Sequence, residues 1–298
     1  MSAFATLRTW GDMIKFSHSV FALPFALVAT FLAGRNMPGG TPTLFQFALI
    51  VICMVAARSF AMTFNRIADA KIDARNPRTE SRPIPAGKIT TKQAWSFLQI
   101  SGLVFLAGCA GFFLLYGNEW PLLLAVPTLA LLAGYSYAKR FTLFAHFVLG
   151  AAIAFAPTAA WLAIHPATLG LPAILLTGAV LSWIAGFDII YACQDTEIDR
   201  RDGLHSIPSK FGIARALWIS RASHVITAAL LVVLGLVVGL GWLYWAGLGV
   251  TALLLAFEQS LVRHNDLSKV NMAFFTVNGV VSLLFGLTTI IDALWISK

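Results

Sequence analysis

Residues 65–88 read NRIADAKIDARNPRTESRPIPAGK, and this stretch decides how the rest of the chain is understood. As the end of a helix it places Asn65, Asp69 and Asp73 at i, i+4 and i+8, along one face with a small angular drift. Two carboxylates one turn apart repel unless a cation lies between them. Hard oxygen donors of this kind suit Mg²⁺, which takes one or two carboxylates and completes its shell with water and phosphate oxygens. Arg75, Arg78, Arg82 and Lys88 follow, cations able to grip phosphate, Arg in a bidentate manner. The stretch reads as a Mg²⁺–diphosphate site.

Outward from it, the chain is apolar nearly throughout. Of 298 residues 58% are hydrophobic and 11% charged, with a mean hydropathy of +0.80. Soluble proteins carry roughly a quarter charged residues, so this chain has too little polar surface to face water. Apolar runs near the roughly 20 residues needed to cross a bilayer recur along it. They predict spans at 17–34, 44–64, 93–115, 120–137, 143–163, 170–193, 216–238, 241–258 and 270–294. The expectation is an all-α integral membrane protein with about nine transmembrane helices, forming a single domain over 1–298. The first span lacks a small-residue cleavage site and is read as a retained helix.

The basic residues fall on one side of such a bundle: Arg8, Lys15, the cations between 65 and 92, Lys139, Arg140, Arg200, Arg201, Lys210, Arg215, Arg221, Arg263 and Lys269. The other side keeps Arg35 and Lys298. By the positive-inside rule the N-terminus and both long loops are cytoplasmic and the C-terminus is outside. The net charge of +8 and pI near 9.7 record this topology, with anionic headgroups of the lipid bilayer as partner and no basic soluble domain for nucleic acid. Cys53, Cys109 and Cys193 lie in or at the ends of apolar spans, which predicts packed thiols. Trp10 follows Phe4 and Leu7 at helical spacing in an interfacial lead-in, and Gly102, Gly108 and Gly111 mark close helix packing.

Single residues sharpen the picture. Arg58 lies two turns before Asn65 inside a span, where a guanidinium is costly unless it meets an anion or a polar cavity. Lys15 precedes the first span on the same side. Pro83, Pro85 and Gly87 end helical structure, and Thr90 or Thr91 caps the next helix. Lys139 and Arg140 in YSYAKRFT read either as topological positives or as diphosphate ligands. The sixth span ends in FDIIYACQDTEIDRRDGLHSIPSKFG, residues 187–212, where Asp188, Tyr191, Asp195 and Asp199 form one helical stripe. Asp69-Ala-Lys-Ile-Asp73 is echoed by Asp195-Thr-Glu-Ile-Asp199, and Ile84-Pro85 by Ile207-Pro208. The echo suggests a weak internal repeat bringing two acidic helix ends to one cavity and one metal site. A cation transporter would place its acids near the midplane on broken helices, and a CDP-alcohol phosphotransferase would show a compact DGxxAR pattern. Neither feature is present.

At these residues the chain resembles the UbiA family of membrane prenyltransferases over nearly its whole length. Asn65-Arg66-Ile-Ala-Asp69-Ala-Lys-Ile-Asp73 is similar to NDxxDxxxD, Arg78-Thr79 through Arg82-Pro83, Pro85 and Gly87 to RTxxRPxPxG, and Asp188, Tyr191, Asp195 and Asp199 to DxxYxxxDxxxD. The resemblance implies a bundle of nine helices around a central cavity, in which the aspartates hold two Mg²⁺ against a polyprenyl diphosphate. Asn65, Asp69, Asp73, Asp195 and Asp199 are the expected metal ligands, with Asp188 and Tyr191 completing the catalytic set. Arg66 stands where the family has a second acid, and His205, in GLHS, where many relatives have a Lys that contacts the diphosphate. These departures, with the opening KFSHSVFALPFAL, resemble a 4-hydroxybenzoate polyprenyltransferase-like subgroup that includes enzymes proposed for futalosine-route menaquinone synthesis.

The implied chemistry is ionisation of an allylic diphosphate, shielding of the carbocation from water, and attack by an electron-rich ring. The expected acceptor is a small aromatic acid, 4-hydroxybenzoate or alternatively a dihydroxynaphthoate, its carboxylate held by Arg58 and Lys15. Arg82, Lys139, Arg140 and His205 complete the expected substrate contacts. The expected location is a bacterial inner membrane, multi-pass, with the active site facing the cytoplasm.

Overall fold

The computed structural model describes residues 3–14 and 19–296. In chain order the helices are α1 Ala3–Ile14, α2 Ser19–Gly34, α3 Leu44–Asp73, α4 Thr91–Tyr116, α5 Trp120–Gly134, α6 Ala145–Ile164, α7 Leu171–Ala192, α8 Thr196–Arg201, α9 Ile207–Phe211, α10 Ile213–Val238, α11 Trp242–Leu261 and α12 Asn278–Ile291. Two π-helical turns, Met272–Val277 and Asp292–Ile296, flank α12. No strand occurs among the described residues, where pairing is limited to a bridge between Arg263 and Asp266.

Among the described residues seven helical stretches are long and apolar enough to cross a membrane, and α2 is a shorter apolar helix. The protein is therefore an all-α integral membrane protein. A helix stands at each of the nine expected places, but nine spans are not reached by length and composition. α2 has 16 residues, short of the roughly 20 that a bilayer requires. α11 is long enough, yet Trp242, Tyr244 and Trp245 in its first turns and Glu258 and Gln259 in its last lower its hydropathy.

The chain divides into two compact units. The first comprises Met1–Ser19 and Ala48–Tyr137. Within it, α3 runs nine residues beyond the apolar stretch, out to Asp73, because Asn65–Asp73 continues the helix. The following loop turns back on itself: Pro83 and Pro85 cannot continue a helix, and Gly87 adopts φ +68°, which favours glycine. Ile84 and Ile89 fasten this loop by packing with Ile67, Met13 and Ala94. Thr90 then starts α4 with a capping box, its side chain accepting from the Gln93 N–H while the Gln93 side chain accepts from the Thr90 N–H. Trp10 joins this unit through the ring of Phe97, 4.7 Å away. A Cβ at Gly108 would lie 2.6 Å from Cys53 Sγ and one at Gly111 2.9 Å from Leu49, so both glycines admit close packing as expected. At Gly102 it would make an ordinary contact of 3.5 Å with Phe60. The three cysteines are free thiols.

The second unit comprises Val20–Phe47 and Ala138–Lys298, with α7 at its centre, packed on α6 and α10. Backbones approach closely there: a Cβ at Gly150 of α6 would sit 2.6 Å from the Leu181 carbonyl oxygen. One side of α7 is aromatic, with Trp183 and Phe187 packed among Phe21, Phe25 and Phe274. Several of the unit's buried polar groups are paired across helices. Trp183 Nε1 donates to Asn278 Oδ1 at 2.8 Å, and Asn278 Nδ2 donates to Glu258 Oε1 at 2.8 Å. Buried Asp292 accepts from the N–H groups of Gly241 and Tyr244, closing the amino end of α11 with a carboxylate.

Candidate active site

The first acidic motif lies at the cytoplasm-predicted end of α3, in the first unit. Asp69 and Asp73 are 1% and 3% exposed, although each carries a carboxylate. Asn65 Nδ2 donates to Asp69 Oδ2 at 3.2 Å, as the i, i+4 spacing requires. Arg82, placed among the phosphate-binding residues from sequence, reaches back to Asp73 with NH1 2.6 Å from Oδ1. Thr79 donates to the Asp73 carbonyl at 3.0 Å and fixes the turn that makes this return possible. The second oxygen, Asp73 Oδ2, is buried and has no hydrogen-bond partner. A buried carboxylate oxygen left open is expensive without a cation or donor, which fits a place for a divalent ion.

Arg66 was legible only as a missing acid. Here it is a buried guanidinium within electrostatic reach of Asp69, Asp73, Arg82 and Tyr135, and its Nε has no hydrogen-bond partner. Arg58 lies two turns earlier on α3, near Tyr135, and its Nε is likewise buried without a partner. Both Nε–H groups are thus donors left without an acceptor in an apolar bundle. Lys15, expected beside Arg58, lies outside the described residues.

The second motif belongs to the second unit. Its stripe is not one continuous α-helix, as the spacing predicted. α7 ends at Ala192, Cys193–Asp195 form a 3₁₀ turn, and α8 begins at Thr196. Local hydrogen bonds explain the break, for the Thr196 hydroxyl donates to the Cys193 carbonyl and the Gln194 amide to the Tyr191 carbonyl. Asp188 and Tyr191 thus stay on α7, whereas Asp195 and Asp199 move with the tighter turn. Asp199 Oδ2 accepts from the Ser206 hydroxyl at 2.8 Å. Asp195, Lys139 and His146 lie within electrostatic reach of Asp199. His205 reaches the same place by backbone, its N–H donating to the Lys139 carbonyl at 2.7 Å, with its side chain exposed. Arg140, next to Lys139 on the 3₁₀ turn, is exposed. Tyr191 packs its ring on Phe274 at 4.2 Å.

His146 is the residue that sequence reasoning missed. Its Nδ1 lies 2.7 Å from Asp188 Oδ2, across 42 positions of sequence, and no spacing rule links the two.

Among the described residues no three His, Cys, Asp or Glu side chains gather closely enough to hold an ion by themselves. Each unit offers carboxylates in ones and twos. Mg²⁺ accepts such a set when phosphate oxygens and water supply the rest, so the donors present fit that ion.

Known proteins bear on this arrangement. The profile of the UbiA prenyltransferase family matches residues 22–280. A 4-hydroxybenzoate octaprenyltransferase of Xanthomonas campestris pv. campestris (strain B100) is 32% identical over 249 residues, covering 83% of this chain and 80% of its own. The apo structure of a UbiA homolog from Aeropyrum pernix K1 superposes with a TM-score of 0.82 at 31% identity, over 92% of this chain and 98% of that one. A UbiA homolog from Archaeoglobus fulgidus, solved with GPP and Mg²⁺, shares the fold at TM-score 0.70 and 22% identity, over 94% and 98% of the two chains. With its helices, its paired aspartates and this likeness along nearly its whole length, the chain belongs to the UbiA prenyltransferase family and is an integral membrane prenyltransferase.

Proposed function

We propose that this enzyme transfers a polyprenyl group from a polyprenyl diphosphate to the ring of a small aromatic acid, first of all 4-hydroxybenzoate, using Mg²⁺ and acting as one domain over 1–298. The observation that carries the reading is the buried pair Asp69 and Asp73, held by Asn65 and Arg82 with one carboxylate oxygen left open. Support comes also from relatives named 4-hydroxybenzoate octaprenyltransferase and from the A. fulgidus homolog bound to GPP and Mg²⁺.

Asn65, Asp69 and Asp73 in the first unit would hold metal, as would Asp195 and Asp199 in the second. When bound, Mg²⁺ neutralises charge on the diphosphate and so eases its departure from the allylic carbon. In the first unit Arg82 binds phosphate oxygens, exchanging its ion pair with Asp73 for the substrate, and in the second Lys139, Arg140 and His205 do so. Tyr191, packed against Phe274, offers an aromatic face to positive charge on the allyl group, and the lipid-embedded helices keep water from it. Asp188 stands beside Tyr191 on α7 and completes the catalytic set. Arg58, with Lys15, takes the acceptor's carboxylate, orienting the ring for attack before its proton is lost.

A second reading keeps a dihydroxynaphthoate as acceptor, favoured by a guanidinium at Arg66 where the family pattern has an acid. Incubating the purified protein in detergent with a radiolabelled polyprenyl diphosphate and both acids separates the two. Labelled product from 4-hydroxybenzoate is the expected result; product from dihydroxynaphthoate alone selects the second reading, and product from neither refutes both. The motifs would face the cytoplasm of a bacterial inner membrane. A reporter inserted near Arg78 should then be cytoplasmic and one fused after Lys298 periplasmic; both on one side would refute this topology.

A further inference from the structure

His146 belongs to none of the motifs above, yet both of its ring nitrogens are engaged. Nδ1 meets Asp188 Oδ2 at 2.7 Å, and the backbone N–H of Ile207 points to Nε2 at 3.3 Å. A backbone N–H can only donate, so Nε2 is the bare nitrogen and Nδ1 carries the proton given to Asp188. The neighbours thus fix one tautomer of the imidazole. Three elements meet there: His146 on α6, Asp188 on α7 and Ile207 at the start of α9.

Ile207 follows Ser206, whose hydroxyl donates to Asp199 Oδ2 at 2.8 Å and also caps α9. A single buried ring therefore connects the deep carboxylate of the second motif to the loop that holds the outermost one. Among the described residues His146 is the sole partner of Asp188, whose side chain is 21% exposed against 6% for the imidazole. One carboxylate oxygen is gripped while the other stays open. Were His146 only filling space between α6 and α7, an apolar side chain would serve there without the cost of burying two ring nitrogens.

We infer that His146 is a positioning residue for prenyl transfer: as a Nδ1–H donor it holds Asp188 Oδ2, and through Ile207 it keeps that carboxylate in register with the Ser206–Asp199 loop. The inference rests on the proposed role of the second acidic motif. Groups that orient ligands and catalytic side chains from behind typically matter 10- to 100-fold.

The test combines His146→Leu, His146→Gln and Asp188→Asn in a double-mutant cycle, with steady-state kinetics and thermal stability measured on each purified protein. Leu keeps bulk but neither hydrogen bond, and should lower kcat by about 30- to 100-fold with both KM values within about threefold. Gln can donate with its amide nitrogen and accept with its oxygen, and should restore kcat to within about fivefold. On the Asp188→Asn background the Leu change should cost less than about threefold more, because its route of action is already broken.

Undiminished kcat in a folded His146→Leu protein would overturn the inference, as would Gln no better than Leu or fully multiplicative losses in the double variant. If His146→Leu does not fold, His146→Asn replaces it, being too short to reach both partners; equal activity of Gln and Asn then overturns the inference, and an advantage of about tenfold for Gln sustains it. A parent protein inactive on every aromatic acid refutes the proposed function and this inference with it. A parent that is active but indifferent to His146 refutes this inference alone.

Discussion

Among the described residues two histidine–carboxylate pairs lie in the second unit, and they differ in build. His146 and Asp188 make a direct 2.7 Å hydrogen bond, with the carboxylate 21% exposed and one oxygen open. His224 and Glu258 stand 3.8 Å apart, with Glu258 0% exposed. There the work is done by amides: Asn278 donates to Glu258 Oε1 at 2.8 Å, and Gln259 approaches His224 Nδ1 at 3.0 Å and donates to Ser220 at 2.8 Å. These amide bonds tie α10, α11 and α12 together, and Glu258, with one donor on Oε1 and Oε2 buried without a hydrogen-bond partner, has no route to a substrate. A carboxylate held on one oxygen at the end of α7 keeps a face for chemistry. The two pairs therefore divide by access: one carboxylate is fully buried, and the other is partly exposed and is the one proposed for catalysis.

If that division is right, the largest effects of substitution lie in the acidic motifs. Asp69→Asn and Asp195→Asn should each lower turnover by about two to four orders of magnitude while thermal stability in detergent changes little, since each removes a charged donor and no packing volume. Loss of turnover with an equal loss of folded protein would make Asp69 a structural residue like Glu258, and the distinction would fall.

A smaller and more selective effect is expected at Arg58. Its guanidinium has a buried Nε without a partner, and the proposed acceptor carboxylate would supply one. Arg58→Ala should raise KM for the aromatic acid by about 10- to 100-fold and KM for the prenyl diphosphate by less than about threefold. Equal changes in both values would move Arg58 to the diphosphate, and turnover of an acceptor without a carboxylate would remove its assigned role.

The smallest effect on catalysis is expected at the sealed pair. Glu258→Leu leaves the Asn278 amide and His224 without their carboxylate and should cost about 1–3 kcal/mol of stability, read as a lower unfolding temperature. Turnover per folded molecule should stay within about twofold of the parent. A folded Glu258→Leu protein with little activity would show that access does not separate the two pairs.

What could be read beforehand follows the same line. Apolar runs located a helix at each of the nine expected places, though not the short α8 and α9, because a bilayer imposes length and composition directly, and Asn65, Asp69 and Asp73 were legible because a helix fixes i, i+4 contacts. Relations between distant positions were not. His146 is a lone histidine in an apolar helix, 42 residues from Asp188. The expected span closes at Glu258, but α11 runs on to Leu261 and buries that residue, whose Oε1 accepts from Asn278 of another helix. Arg82 was assigned to phosphate, since nothing in the spacing says that its loop turns back to Asp73. The second acidic stripe was drawn straight, and side-chain hydrogen bonds of Gln194 and Thr196 to the backbone bend it at Cys193–Asp195.

The central claim is that the paired aspartates serve a divalent cation in prenyl transfer to an aromatic acid. It is tested most directly by following labelled product from a polyprenyl diphosphate and 4-hydroxybenzoate on the purified protein, with Mg²⁺ and then with excess EDTA. The account predicts product with Mg²⁺, a fall to background in EDTA, and recovery when Mg²⁺ is restored; full activity in EDTA would contradict it.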